Sequence, residues 1–129
     1  MQIEFRGRSS ANGLLMTNPR SKSESLSETT KSYLQEWLKS QIYGVKKEID
    51  SKYLTKGIEM EDENIDVYSL YSNLDFAIKN EKHFENDFIT GTPDLILEDK
   101  IVDIKTSWDC FTFPLFDTEI PTKNYHWQL

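Results

Sequence analysis

Cysteine is nearly missing from this chain. Cys110 stands alone among 129 residues, which excludes an internal disulfide and any cysteine-built zinc site. Histidine is scarce as well. His83 and His126 lie far in sequence from the acidic cluster described below, so a histidine-ligated metal or a histidine-activated nucleophile does not fit. No apolar run approaches the ~18 residues that a membrane-spanning helix needs. The start, Met1 to Arg8, lacks the apolar stretch of a secretory signal, so a cytoplasmic location is expected. No internal repeat or low-complexity tract breaks the chain into pieces. At 37% hydrophobic content and a mean hydropathy of −0.61, a modest core is expected in one domain over residues 1–129. Residues 1–26 supply an N-terminal strand, Gln2 to Arg8, and a Ser/Asn/Pro/Lys-rich loop.

Positive charge is also short. The net charge is −7, which at first argues against a nucleic-acid partner. The distribution is uneven. Through Gly57 ten basic residues face six acidic ones, giving +4, and from Ile58 onward five face sixteen, giving −11. The basic half, with Arg6, Arg8, Arg20, Lys22, Lys31, Lys46 and Lys47, offers cations for phosphates, although helix lysines are usually plain solvated surface.

The chemistry concentrates in Gly91-Thr92-Pro93-Asp94-Leu95-Ile96-Leu97-Glu98-Asp99-Lys100-Ile101-Val102-Asp103-Ile104-Lys105. Ile101 to Thr106 reads as a strand, where side chains alternate faces. Asp103 and Lys105 then share one face, and Val102 and Ile104 the other. Glu98-Asp99-Lys100 is a polar break that folds the preceding strand back antiparallel, bringing Asp94 near Asp103. Two converging carboxylates suit a hard divalent cation, and a lysine beside them can orient a water. Upstream, Lys46 to Ser72 reads as one helix. In it Ile58, Glu61, Ile65 and Tyr68 follow 3- and 4-residue steps along one face, with Gly57 allowing close approach of another backbone. Glu61 on such a stripe needs a cation or a donor. Glu59, Asp62, Glu63 and Asp66 read as a solvated face. Earlier, Ser27 is the expected N-cap of a helix carrying Tyr33, Trp37, Leu38 and Ile42 on one face and ending at Gly44. Phe84 to Ile89 is the expected first sheet strand, and 73–86 has no clear pattern.

Pro93-Asp94 followed by Asp103-Ile104-Lys105 resembles the signature of the PD-(D/E)XK nuclease superfamily. The Gly-x-x-x-Glu of Gly57 to Glu61 is similar to the first core helix of its phage-type recombination exonucleases, the lambda exonuclease and RecB-type group. Thr106-Ser107-Trp108-Asp109 resembles the turn that follows their lysine. Pro121 to Gln128 resembles the P-x-x-x-Y-x-x-Q start of their second core helix. The likeness runs over about residues 27–129. It implies an α/β (α+β) fold with a restriction-endonuclease-like core, α-β-β-β-α with the final strand missing. It further implies Mg²⁺ or Mn²⁺ held by Glu61 (Glu59 as the competing register), Asp94, Asp103 and the Ile104 carbonyl. Lys105 is the implied catalytic lysine, and Gln128 faces the site. DNA is the implied partner, with Arg8 and Ser107 as contacts, alongside a single-strand annealing protein and oligomerisation, in the bacterial host of a phage or prophage. The implied activity is exonucleolytic. A catalytically disabled remnant acting as a binding module and a site-specific endonuclease are the alternatives. Because the chain stops early in the second core helix, Leu95, Leu97, Val102 and Ile104 are expected to be incompletely covered.

Overall fold

The computed structural model describes residues 4–49 and 51–128. Gln2 at the start of the expected first strand, Asp50 inside the expected long helix, and Leu129 lie outside them. The fold is mixed α+β, with short helices and small sheets, and it divides into two compact units.

The first unit comprises Met1–Glu48, Glu85–Gly91 and Thr118–Leu129. Its strand β1 (Gly7–Arg8) pairs in parallel with β3 (Ile89–Gly91), Gly7 opposite Ile89 and Arg8 opposite Thr90. A 3-10 turn leads into α1 (Asn12–Leu15), where Gly13 is buried. A Cβ on Gly13 would lie 2.8 Å from the Cβ of Asn124 in α5 (Lys123–His126), so only glycine permits this approach. Asn12 Nδ2 donates to the Trp127 carbonyl at 3.2 Å and secures the same junction. Helix α2 spans Glu28–Tyr43. Ser27 caps it by accepting from the Thr30 N–H at 3.0 Å, and Gly44 ends it in the left-handed region at φ 65°. The buried Ser27 and Thr30 hydroxyls also bond each other, and Thr30 donates to the Leu14 carbonyl at 2.9 Å. Phe5 meets Trp37 and Tyr33 edge-on, at 4.9 and 6.2 Å between centroids. Leu38 and Ile42, expected on that face, are exposed. Helical geometry explains why: at about 100° per residue, Ile42 points away from Tyr33.

The second unit comprises Ile49–Phe84 and Thr92–Asp117. The expected long helix is two helices here, α3 (Lys52–Glu59) and α4 (Glu61–Tyr71). They meet at Met60, whose ψ of −2° departs from the helical value. Glu61, Asp62 and Glu63 fill the first turn of α4, where the helix dipole favours anions, so the acidic run is itself the signal for a new helix start. Ile65 is buried as expected, whereas Ile58 is exposed because the break at Met60 takes it off the stripe. Gly57 has open space around it, so no close backbone approach accounts for it.

The chain passes back to the first unit through β2 (Phe84–Glu85), the strand beside β3. The expected continuous strand over 84–89 is interrupted there. Asn86 Oδ1 accepts from the N–H groups of Phe88 and Ile89 and turns the chain. In the second unit, β4 (Leu95–Ile96) and β5 (Ile101–Val102) form an antiparallel hairpin, closed by Leu97 N–H to the Lys100 carbonyl at 2.8 Å. Leu95 is 0% exposed, and Leu97, Val102 and Ile104 are half-buried. The apolar side of the hairpin is thus incompletely covered at Leu97, Val102 and Ile104, as expected, and fully covered at Leu95, while Ile96 and Ile101 are exposed.

Candidate active site

The hairpin register builds the centre of the site. Leu95 lies opposite Val102 and Ile96 opposite Ile101, so continuing the ladder one step places Asp94 opposite Asp103. Directly opposed residues on antiparallel strands carry their Cβ atoms roughly 5 Å apart on one face, where like charges repel. Pro93 would face Ile104; it has no N–H for the Ile104 carbonyl, and its own carbonyl, the ladder acceptor for the Ile104 N–H, accepts from Asn80 Nδ2. Pairing stops at Val102. The Ile104 N–H donates to Asp94 Oδ2 at 2.5 Å. The expected strand to Thr106 ends early for this reason, yet Asp103 and Lys105 stay on one side. Lys105 Nζ sits 2.5 Å from Asp103 Oδ2, and the Asp103 side chain is only 12% exposed.

Burial raises the Asp94 carboxyl above its ordinary range. The Ile104 N–H works against that shift, the charges of Asp103 and Glu61 add to it, and Lys105 opposes it. Glu61 begins α4 and is half-buried, whereas Glu59 is exposed. Lys79 Nζ lies 2.8 Å from Glu61 Oε2 and 3.9 Å from Asp62 Oδ1, and the hydrogen bond to Glu61 raises its ammonium pKa.

Four residues outside the expected set support this constellation. Lys79 belongs to a segment running along β4: Lys79 bridges to Leu95, Asn80 N–H donates to the Asp94 carbonyl at 2.8 Å, and Asn80 Nδ2 donates to the Pro93 carbonyl at 2.8 Å. Asn64 Nδ2 of α4 donates to Thr106 Oγ1 at 2.7 Å, fixing the chain just beyond Lys105. Lys56 donates to the Ser107 carbonyl at 3.1 Å and to that of Trp108. Lys79 and Asn80 lie in a polar stretch without periodicity, so no sequence signal marks them.

Among the described residues, no three His, Cys, Asp or Glu side chains form a group that could hold a metal ion. Asp103 and Glu61 each act electrostatically on Asp94, while Lys79 pairs with Glu61, Lys105 with Asp103, and the Ile104 N–H bonds Asp94. The donor chemistry, oxygen throughout, is of the kind Mg²⁺ and Mn²⁺ take in preference to Zn²⁺. Ser107 shares the unit of these carboxylates, and its carbonyl is engaged by Lys56. Arg8 and Gln128 belong to the first unit, where Arg8 ends β1 and Gln128 N–H donates to the Tyr125 carbonyl at 3.2 Å.

No family model matches the chain, and no curated protein does. Among solved structures the chain is similar to a phage related exonuclease from Haemophilus somnus, at 31% identity and a TM-score of 0.78. The match covers 88% of this chain and 53% of that one, so the chain spans about half the length of the structure it resembles.

Proposed function

We propose that this chain carries the catalytic residues of a metal-dependent DNA nuclease, an exonuclease of phage or prophage recombination within the PD-(D/E)XK superfamily. The observation that carries the reading is the group of Asp94 and Asp103, whose charges act on each other, with Lys105 held on Asp103 and the Ile104 N–H on Asp94. The similarity to the phage related exonuclease from Haemophilus somnus supports the same reading.

Such an enzyme hydrolyses a phosphodiester. A water oxygen bonds to phosphorus, the bond to the leaving oxygen breaks, the attacking water gives up a proton to solvent, and the leaving oxygen takes one up from solvent. Glu61, Asp94, Asp103 and the Ile104 carbonyl would hold Mg²⁺ or Mn²⁺, which lowers the pKa of a bound water and neutralises phosphate charge. The Ile104 N–H occupies one Asp94 oxygen and limits rotation of the carboxylate. Asp103 orients the Lys105 ammonium, which can donate to the attacking water or to a phosphate oxygen as negative charge develops there. Asn64, through Thr106, keeps the segment after Lys105 from drifting.

The test is single-turnover degradation of end-labelled linear duplex in Mg²⁺, with duplex binding measured separately in Ca²⁺. Lys105→Ala should leave binding nearly intact and slow cleavage by roughly 10²- to 10⁴-fold. Equal rates would make Lys105 a bystander. Binding without cleavage by the unaltered chain would favour a disabled binding module, and cutting of closed circular duplex would favour an endonuclease.

A further inference from the structure

We propose that Trp108, Tyr53, Lys52 and Lys56 form a binding site for a single DNA strand; the choice of DNA as ligand rests on the nuclease reading above. All four belong to the second unit, as do Asp94, Asp103 and Lys105. Trp108 follows Lys105 by three residues, so their Cα atoms lie at most about 11 Å apart.

Tyr53 on α3 meets Trp108 edge-on, with centroids 5.0 Å apart and planes at 71°. The edge-on contact and the two lysines each cover part of the rings, and the two residues remain 60% and 37% exposed, which leaves ring surface for a base. Lys52 Nζ stands 4.9 Å from the Trp108 centroid and 5.4 Å from that of Tyr53. Among the described residues Lys52 has no carboxylate partner, so its charge is available to an incoming anion. Lys56 Nζ lies 5.4 Å from the Trp108 centroid and bonds the Ser107 and Trp108 carbonyls, holding the indole's backbone. On the far side, Asp109 Oδ1 accepts from the N–H groups of Phe111 and Thr112, at 3.1 and 2.9 Å, and fixes the turn.

An exposed aromatic pair beneath an unneutralised ammonium, on backbone fixed from both sides, has the two parts that sequence-tolerant strand binding needs. Bases stack on the rings, and the cation takes a phosphate. The ligand is an unpaired strand because bases inside a duplex are already stacked on both faces. A strand end separated from its complement would lie on Trp108 within a few nucleotides of Lys105.

The experiment measures fluorescence anisotropy of labelled oligo(dT) with the full chain in Ca²⁺, alongside degradation of linear duplex in Mg²⁺. Trp108→Ala should weaken oligo(dT) binding about 5- to 150-fold, and Trp108→Phe should recover most of it. Lys52→Gln should weaken binding and reduce the salt slope by about 0.7. Two results would overturn the site: oligo(dT) binding within twofold of wild type in both Trp108→Ala and Lys52→Gln, or equal losses in Trp108→Phe and Trp108→Ala. If Trp108→Ala does not fold, Lys52→Gln decides, because it alters an exposed side chain. Loss of the site with duplex degradation intact leaves the nuclease reading standing. Trp108-dependent oligo(dT) binding without degradation sinks the nuclease reading and keeps the site.

Discussion

On the proposed ligand set, Lys79 and a divalent cation would compete for the Glu61 carboxylate. The Lys79 ammonium is bonded to Glu61 Oε2 at 2.8 Å, with side chains 42% and 23% exposed. For Glu61 to ligate a metal, this pair must open or share an oxygen. Lys79→Gln removes the competing charge while keeping a side chain of similar length that can still donate. Solvent screens so exposed a pair, and opening it shifts an equilibrium by only about 1.5- to 5-fold. Mn²⁺ affinity should therefore tighten by roughly that factor, with the larger change at low ionic strength where screening is weakest. The raised Lys79 pKa fixes the pH behaviour. The ammonium is fully present below its ordinary pKa of 10.5, so the competition is constant across neutral pH and fades only as pH rises through the elevated value. Calorimetric titration of Mn²⁺ into the unaltered chain and the Lys79→Gln variant, at two salt concentrations, reads the effect. Unchanged or weaker binding in the variant would refute Glu61 as a ligand, because releasing a true ligand from its lysine cannot loosen the metal.

Three further outcomes follow from the structure. Asp94→Asn should raise the stability of the metal-free chain at neutral pH: ionised Asp94 is disfavoured by burial and by its acidic neighbours, and the raised carboxyl makes stability fall as pH climbs from its ordinary pKa through the elevated one. Melting curves in chelator between about pH 4 and 7 should be flatter for the variant, and a lower melting temperature for it at pH 7 would show that the Ile104 hydrogen bond dominates instead. Ser27→Ala should cost about 1 kcal/mol in denaturant unfolding, through loss of the α2 cap. Leu95→Ala should cost about 2–5 kcal/mol, since Leu95 is fully buried and holds β4 in register, and a change below ~1 kcal/mol would mean the second unit relaxes around the loss.

Local chemistry with a fixed geometric consequence was readable in advance. The polar break at Glu98-Asp99-Lys100 between apolar runs specified the hairpin, and period-2 alternation put Asp103 and Lys105 on one side. Ser27 and Gly44 marked the ends of α2 because capping depends on one residue type at one position. Periodicity failed where a break resets the phase. The steps from Ile58 to Ile65 match a helix, but Met60 ends one helix and an acidic first turn starts the next. The apolar residues of α2 suggested one face, yet Ile42 stands nearly opposite Tyr33 at helical spacing. Residues 73–86 were illegible for another reason: Lys79 and Asn80 are placed by hydrogen bonds to Glu61, Pro93 and Asp94, partners distant in sequence.

The backbone around Pro93 shows how the acidic centre is supported despite repulsion. In a regular ladder the Ile104 N–H would donate to the Pro93 carbonyl, which proline keeps. Here Asn80 Nδ2 takes that carbonyl at 2.8 Å, and the Ile104 amide goes to Asp94 Oδ2, where it supports a half-buried carboxylate. That bond pulls the Asp94 pKa down, yet burial, Asp103 and Glu61 together outweigh it. The remaining cost falls on the folded state, and bound positive charge relieves it. Here the lysines at 79 and 105 supply part of that charge. A divalent cation would supply more, so metal binding should increase stability in the unaltered chain and increase it far less in Asp94→Asn. Thermal melts of both chains with and without Mn²⁺ separate a cation site from an acidic surface. Equal stabilisation of the two would assign the metal's effect elsewhere.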